Sequence, residues 1–232
     1  MTTAHQLPDR PRRTRTRRLA RGFNSLLLSC TAVALFSHAI TEQGAATPPP
    51  QPGQEQAYSP DEDTDRPAYV PGLPPAAPQR IRIAAIGVDA PLTGLDLEKD
   101  GRLASPTDRD ANLAGWYRGG PTPGATGTAV IAGHVDIPTG PAVFYGLGAL
   151  KKGMHIEIPR ADGRTAHFTI DAIEVYDAAA FPDNKVYADR DRPELRVITC
   201  GGGYDARRGR YRGNVVVFAH LTAPPGASTH GR

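Results

Sequence analysis

Between His155 and Val175 the chain reads HIEIPRADGRTAHFTIDAIEV. Two runs alternate apolar and polar residues, and "RADGR" separates them. Alternation of period two puts every second side chain on one face of a strand. Asp162-Gly163 between two such runs predicts a β-hairpin. The same texture fills the chain from Gln79 onward. "RIRIAAIGV" alternates, "GTAVIAGHV" is a short apolar run, and "ELRVITC" and "NVVVFAHL" read as two further strands. "PAVFYGLGAL", residues 141–150, allows one or two helical turns. Six or more short strands with Gly and Pro turns, and little helix, predict an all-β barrel or sandwich over residues 79–222. A domain of that size can bury a single core.

The residues before it have another character. The whole chain carries a formal charge of +3. Residues 1–22 alone hold seven arginines and one acid, Asp9, so the other 210 residues carry about −3. The basic character belongs to a tail, and no basic stripe of the kind nucleic acid requires runs through the folded part. No nucleic-acid partner is expected. Next comes "FNSLLLSCTAVALFSHAI", residues 23–40, with no Asp, Glu, Lys or Arg. As a helix it would rise about 27 Å, close to the thickness of a bilayer's hydrocarbon core. Arginines on one side and Glu42 on the other predict a cytoplasmic N-terminus and an exported C-terminal part. Two fates compete: a retained signal-anchor, favoured by the length, or a secretory signal cut near "GAAT" at 44–47. Residues 41–78 hold ten of the 23 prolines, which predicts a disordered, extended spacer. Residues 223–232 read as a disordered tail.

Two cysteines occur, and Cys30 falls in the apolar segment, which leaves Cys200 alone in the exported domain. A lone exported thiol is an intermolecular bridge, an inert buried residue or a reactive group. Its surroundings favour reactivity. Cys200 follows "RVIT" and is expected to end a strand. Gly201, Gly202 and Gly203 come next in a glycine- and arginine-rich loop, where backbone N–H groups can face a ligand closely. Arg207, Arg208, Arg210 and Arg212 follow, and positive charge lowers a thiol's pKa. A thiol nucleophile also needs a proton partner. His155 and His167 alternate within strands as face residues, and His220 lies near the end of the last strand. His134 stands apart: it follows the strand "AVIAG" and precedes a loop, a good position for a base. Asp136, two residues on, is a candidate to orient it.

"GTAVIAGHVD", "LRVITCGGGYD" and "YRGNVVVFAHL", in that order, resemble the His, Cys and Arg motifs of the sortases, thiol transpeptidases of Gram-positive surfaces. "RIRIAAIGVDAPL", "DGRLASPTD" and "AVFYGLGALKKG" are similar to the actinobacterial class F branch. The resemblance covers roughly residues 80–221. It implies an eight-stranded sortase-type β-barrel, with His134 as general acid and base, Cys200 as nucleophile and Arg212 as the cation at the oxyanion. Arg210 is the alternative for that last role. Thr199, Gly201 and Gly202 are expected to bind substrate. The resemblance further implies no cofactor. Its donors are secreted proteins with a C-terminal Leu-Pro-any-Thr-Gly-like signal, its acceptor is a peptidoglycan amine, and its anchor is a single N-terminal membrane helix.

Other chemistries fit the sequence less well. The Ser-His-Gly-Cys run of L,D-transpeptidases does not occur. A metal held by His134, Asp136 and Cys200 lacks any paired ligand spacing, so no metal is expected. A thiol hydrolase of the same fold and a non-catalytic surface domain that binds a wall polymer or protein are the remaining alternatives.

Overall fold

The computed structural model describes residues 47–59 and 70–224. The basic tail, the apolar segment 23–40 and residues 225–232 lie outside the described residues. No helix among the described residues is long and apolar enough to cross a membrane.

Ten strands form among the described residues: β1 (Arg80–Ile83), β2 (Val88–Leu95), β3 (Ala114–Tyr117), β4 (Gly127–Gly133), β5 (Asp136–Ile137), β6 (Gly140–Pro141), β7 (His155–Pro159), β8 (Thr165–Asp177), β9 (Pro193–Asp205) and β10 (Arg210–Thr222). Eight close into a barrel in the order β1-β2-β3-β4-β9-β10-β8-β7, while β5 and β6 make a small separate ribbon. The all-β, eight-stranded barrel is therefore as expected. The β7–β8 hairpin forms with Ile158 opposite Ala166, and Gly163 turns the chain at a φ of 77°. "RIRIAAIGV" is not one strand. It breaks at a 3-10 turn, Ala84–Ile86, and Gly87 at φ 67° lets β2 fold back on β1. The helical turn expected near 141–150 is a single 3-10 turn, Leu147–Ala149.

The barrel interior is filled by Ile81, Ile83, Ile131, Ile156, Phe168 and Val217, among others. A second apolar layer lies outside the barrel wall. There Val130, Ile198, Val216 and Phe218 are covered by Val186 of the short helix α1 (Asp183–Tyr187). Both faces of β9 and β10 are thus covered, which is why "RVIT" and "NVVVFA" read as continuous apolar runs. In the same wall, buried Glu194 pairs with Arg196 at 2.5 Å and with Arg192 at 2.6 Å, and Arg196 stacks 4.6 Å over the Phe218 ring.

The proline-rich segment is held against the barrel wherever it is described. The Tyr58 N–H donates to Glu174, the Lys152 N–H donates to Gln56, and Arg160 donates to the Pro74 carbonyl. Proline stretches offer free carbonyls and lose little entropy on ordering. Their composition therefore does not prevent docking where partners are in reach.

Candidate active site

Two strand pairings bring the sequence-predicted residues together. Strand β4 runs parallel to β9 with Ala132 opposite Ile198. Two residues beyond this pair, Cys200 continues along β9, while His134 stands just past the end of β4 at Gly133. On the other side of β9, Cys200 pairs with Asn214 of β10. Arg212 precedes Asn214 by two, at a bulge between Tyr211 and Gly213. On β9 the face that Cys200 shares with Ile198, two residues before it, is the outer one: Ile198 belongs to the outer apolar layer and Val197 to the interior.

Cys200 lies within β9 instead of ending it, and its side is exposed. The stretch read as a loop is mostly strand, since β9 runs to Asp205, β10 resumes at Arg210, and the turn between is short. Glycines do not stop a strand when its partner supplies the hydrogen bonds. Gly201 has a packing reason: an added Cβ would lie 2.6 Å from a Val215 methyl. Gly202 and Gly203 have conformational ones, with φ of 73° and 83°. They form the β9 side of the bulge, and the Arg212 guanidinium packs where a side chain on Gly203 would begin, 2.7 Å from the Cβ position. Arg210 sits opposite Asp205, and Arg208 pairs with that same acid at 3.7 Å. Arg212 is therefore the arginine against the glycine bulge beside Cys200.

Two expected substrate contacts are already engaged inside the protein. Thr199 is buried, and its hydroxyl donates to the Gly133 carbonyl at 2.8 Å, so it does not line an open site. The Gly202 N–H donates to the side chain of Gln51 at 3.1 Å. Gln51 comes from the proline-rich segment, and no sequence pattern pointed to it.

His134 is half-buried, and its Nε2 lies 2.8 Å from the Pro106 carbonyl oxygen. A carbonyl can only accept, so Nε2 carries a proton there and Nδ1 remains to exchange one. Asp136 does not serve as the predicted orienter of His134. It accepts a short hydrogen bond from the Tyr211 hydroxyl. The other histidines are placed as expected or elsewhere: His155 and His167 on a sheet face, His220 bonded to Asp171 at 2.7 Å. The thiol also departs from expectation. Although the residue is exposed, protein crowds its sulfur; that desolvation, and then the negative charge of Asp136, push the Cys200 thiol above its ordinary range. The arginines do not reverse this: Arg207, Arg208 and Arg210 lie in the turn and at the hairpin tip, where Arg208 pairs with Asp205. Among the described residues no three His, Cys, Asp or Glu side chains are placed to hold a metal ion.

A model of the sortase domain family matches residues 81–222. Among solved structures, a lid mutant of sortase A from Corynebacterium diphtheriae is 22% identical, over 66% of this chain and 74% of that one, with a TM-score of 0.51. Sortase C1 from Streptococcus suis is 19% identical, over 67% and 77%, with a TM-score of 0.48. A comparison with curated protein sequences gave no match. The diphtheria structure supports the barrel architecture, and the domain match spans more than half of the sequence; on that basis the chain belongs to the sortase family, the cysteine transpeptidases.

Proposed function

We propose that this chain is a membrane-anchored, extracytoplasmic sortase of the class F branch. It joins secreted proteins bearing a Leu-Pro-any-Thr-Gly-like signal to a cell-wall amine. Cys200 is the nucleophile, His134 the general acid and base, and Arg212 the cation at the oxyanion. The observation that supports this reading is the strand register: β9, which carries Cys200, pairs on one side with β4, whose end leads into His134, and on the other with β10, which carries Arg212. The anchor assignment rests on the uncharged segment 23–40 and its arginine-rich flank.

The chemistry follows from the groups. A thiol pushed up in pKa holds its proton at neutral pH, so it must surrender that proton as it attacks. His134 Nδ1 accepts it while Sγ bonds to the scissile carbonyl carbon. The carbonyl oxygen gains negative charge and is met by Arg212, a donor of the kind that contributes about 3–4 kcal/mol to such steps. The C–N bond then breaks, His134 returns the proton to the departing amine, and a thioester remains on Cys200. An incoming amine attacks the thioester, the C–S bond breaks, and a new amide leaves. The acyl group is never released to water, so no nucleotide is needed.

Mass spectrometry of the full-length protein with Leu-Pro-any-Thr-Gly-like peptides and triglycine tests the reading. The expected result is an acyl adduct on Cys200 that triglycine removes as a ligated peptide. An adduct on no peptide, or one that survives Cys200→Ala, would overturn it.

A further inference from the structure

The chain leaves β4 at Gly133, passes His134 and enters the β5–β6 ribbon at Asp136. From there the Asp136 carboxylate reaches the hydroxyl of Tyr211 on β10. Strand β9 lies between β4 and β10, so this contact spans β9, and it does so close enough to Cys200 for the three groups to interact electrostatically. Tyr211 itself is braced by the Tyr204 ring at 5.3 Å, edge to face. Asp136 is half-buried, and among the described residues no cation pairs with it. Its charge is felt at the thiol, whose ionisation it opposes. A phenol held well above its ordinary range by desolvation and then by this bond stays a donor at neutral pH, so it orients the carboxylate without neutralising it.

A bare carboxylate beside a sulfur that must carry negative charge hinders catalysis unless a cation arrives there during the reaction. The transpeptidase reading supplies one, because a primary amine in water is an ammonium. We propose that Asp136, oriented by Tyr211, binds the ammonium of the acceptor and selects primary amines over water as the group that resolves the thioester.

The proposal rests on the function proposed above and deepens its second half. The ammonium docks on Asp136 and gives one proton to His134. Its nitrogen attacks the thioester carbon, the nitrogen's second proton passes to the sulfur as the C–S bond breaks, and amide and thiol result. The proton on His134 is released to solvent, so acyl thioester plus ammonium gives amide, thiol and one proton. While docked, the ammonium balances the Asp136 charge; after attack, the positive charge on the adduct's nitrogen takes that place until its proton passes to the departing sulfur.

The test uses the full-length protein, a Leu-Pro-any-Thr-Gly-like donor peptide and two acceptors: triglycine, an ammonium at neutral pH, and hydroxylamine, which is uncharged there. Asp136→Asn is expected to raise KM for triglycine roughly tenfold or more, the size of a lost charged hydrogen bond, and to leave KM for hydroxylamine within about twofold. The same variant should shift the pH midpoint of Cys200 alkylation by iodoacetamide downward. Tyr211→Phe keeps the charge but frees it, so the triglycine KM should rise a few-fold with hydroxylamine again unaffected; it serves as the probe if Asp136→Asn fails to fold. Equal changes for both acceptors, or no change for either, would overturn the proposal and leave the transpeptidase reading standing. Absence of any acyl adduct on the unsubstituted protein would overturn both.

Discussion

The Thr199 hydroxyl donates to the Gly133 carbonyl at 2.8 Å, and each of these residues immediately precedes a proposed catalytic group. The bond closes the gap between β4 and β9 just beyond their last paired residues, Ala132 and Ile198. It thereby ties together the two backbone positions from which His134 and Cys200 follow. Thr199→Val keeps the shape but leaves the carbonyl without this donor, at a cost of about 1–3 kcal/mol if water cannot replace it. Activity should fall further than stability does, since an error of about 1 Å in such a pair can cost on the order of a hundredfold. Thr199→Ser, which keeps the hydroxyl, should restore most of the turnover. Melting curves and peptide cleavage rates for the two variants check this, and equal losses in both would refute it.

Gly203 makes room for Arg212. A Cβ there would stand 2.7 Å from the guanidinium, and the backbone has a φ of 83°. Gly203→Ala should therefore cost about 1–2 kcal/mol in backbone strain and also displace the arginine. We expect its acylation rate to drop toward that of Arg212→Ala, while Gly201→Ala, which meets Val215 instead, chiefly lowers the melting temperature. Single-turnover acylation of the three variants separates the effects.

The thiol should behave as a weak acid for a nucleophile. Desolvation first, and then Asp136, raise its pKa. Alkylation by iodoacetamide in the full-length protein should reach half its maximal rate above about pH 8.5, the value of an ordinary cysteine. The sign carries over to stability. The folded state holds the proton longer than the unfolded one, so stability declines as pH rises from the unfolded thiol's pKa to the folded one. A midpoint below that of free cysteine would show that the arginines dominate after all.

Sequence patterns exposed the barrel's strands, because period-two alternation and Gly punctuation are local signals; position marked His134 and Cys200 as candidates, and only the resemblance to the sortase motifs proposed Arg212. They were less informative wherever a distant partner decides the outcome. The parallel pairing of β4 with β9 joins strands some sixty residues apart, and no local pattern encodes it. Continuation of β9 through three glycines depends on β10 opposite. The docking of Gln51, Gln56 and Tyr58 onto the barrel depends on acceptors and donors that lie about a hundred residues away or more. Asp136 was found from its spacing to His134, but spacing along a chain does not say where a carboxylate turns. Here it turns to Tyr211, and a proline-glycine ribbon, β5–β6, carries it there.

The wall behind the site rests on a buried charge pair. Glu194 and Arg196 are 5% and 3% exposed, they meet at 2.5 Å, and Arg196 Nε has no hydrogen-bond partner among the described residues. Removing one member of a buried pair leaves the other uncompensated, which typically costs about 3–5 kcal/mol. Glu194→Gln should accordingly lower the melting temperature by many degrees. Arg196→Met, which removes the charge and keeps the stem against Phe218, should be milder when combined with it than Glu194→Gln is alone. The pH response follows from the carboxylate. Desolvation raises its pKa, but the charge and hydrogen bond of Arg196, with Arg192, outweigh this and hold it below the usual range. The pair's contribution is therefore complete above the unfolded glutamate's pKa and is lost as pH falls toward the folded one. Acid unfolding of the unsubstituted protein should steepen below about pH 4.3, and the Glu194→Gln variant should lack that component. A double variant no more stable than Glu194→Gln, or an unchanged acid limb in that variant, would show that this pair does not hold the wall.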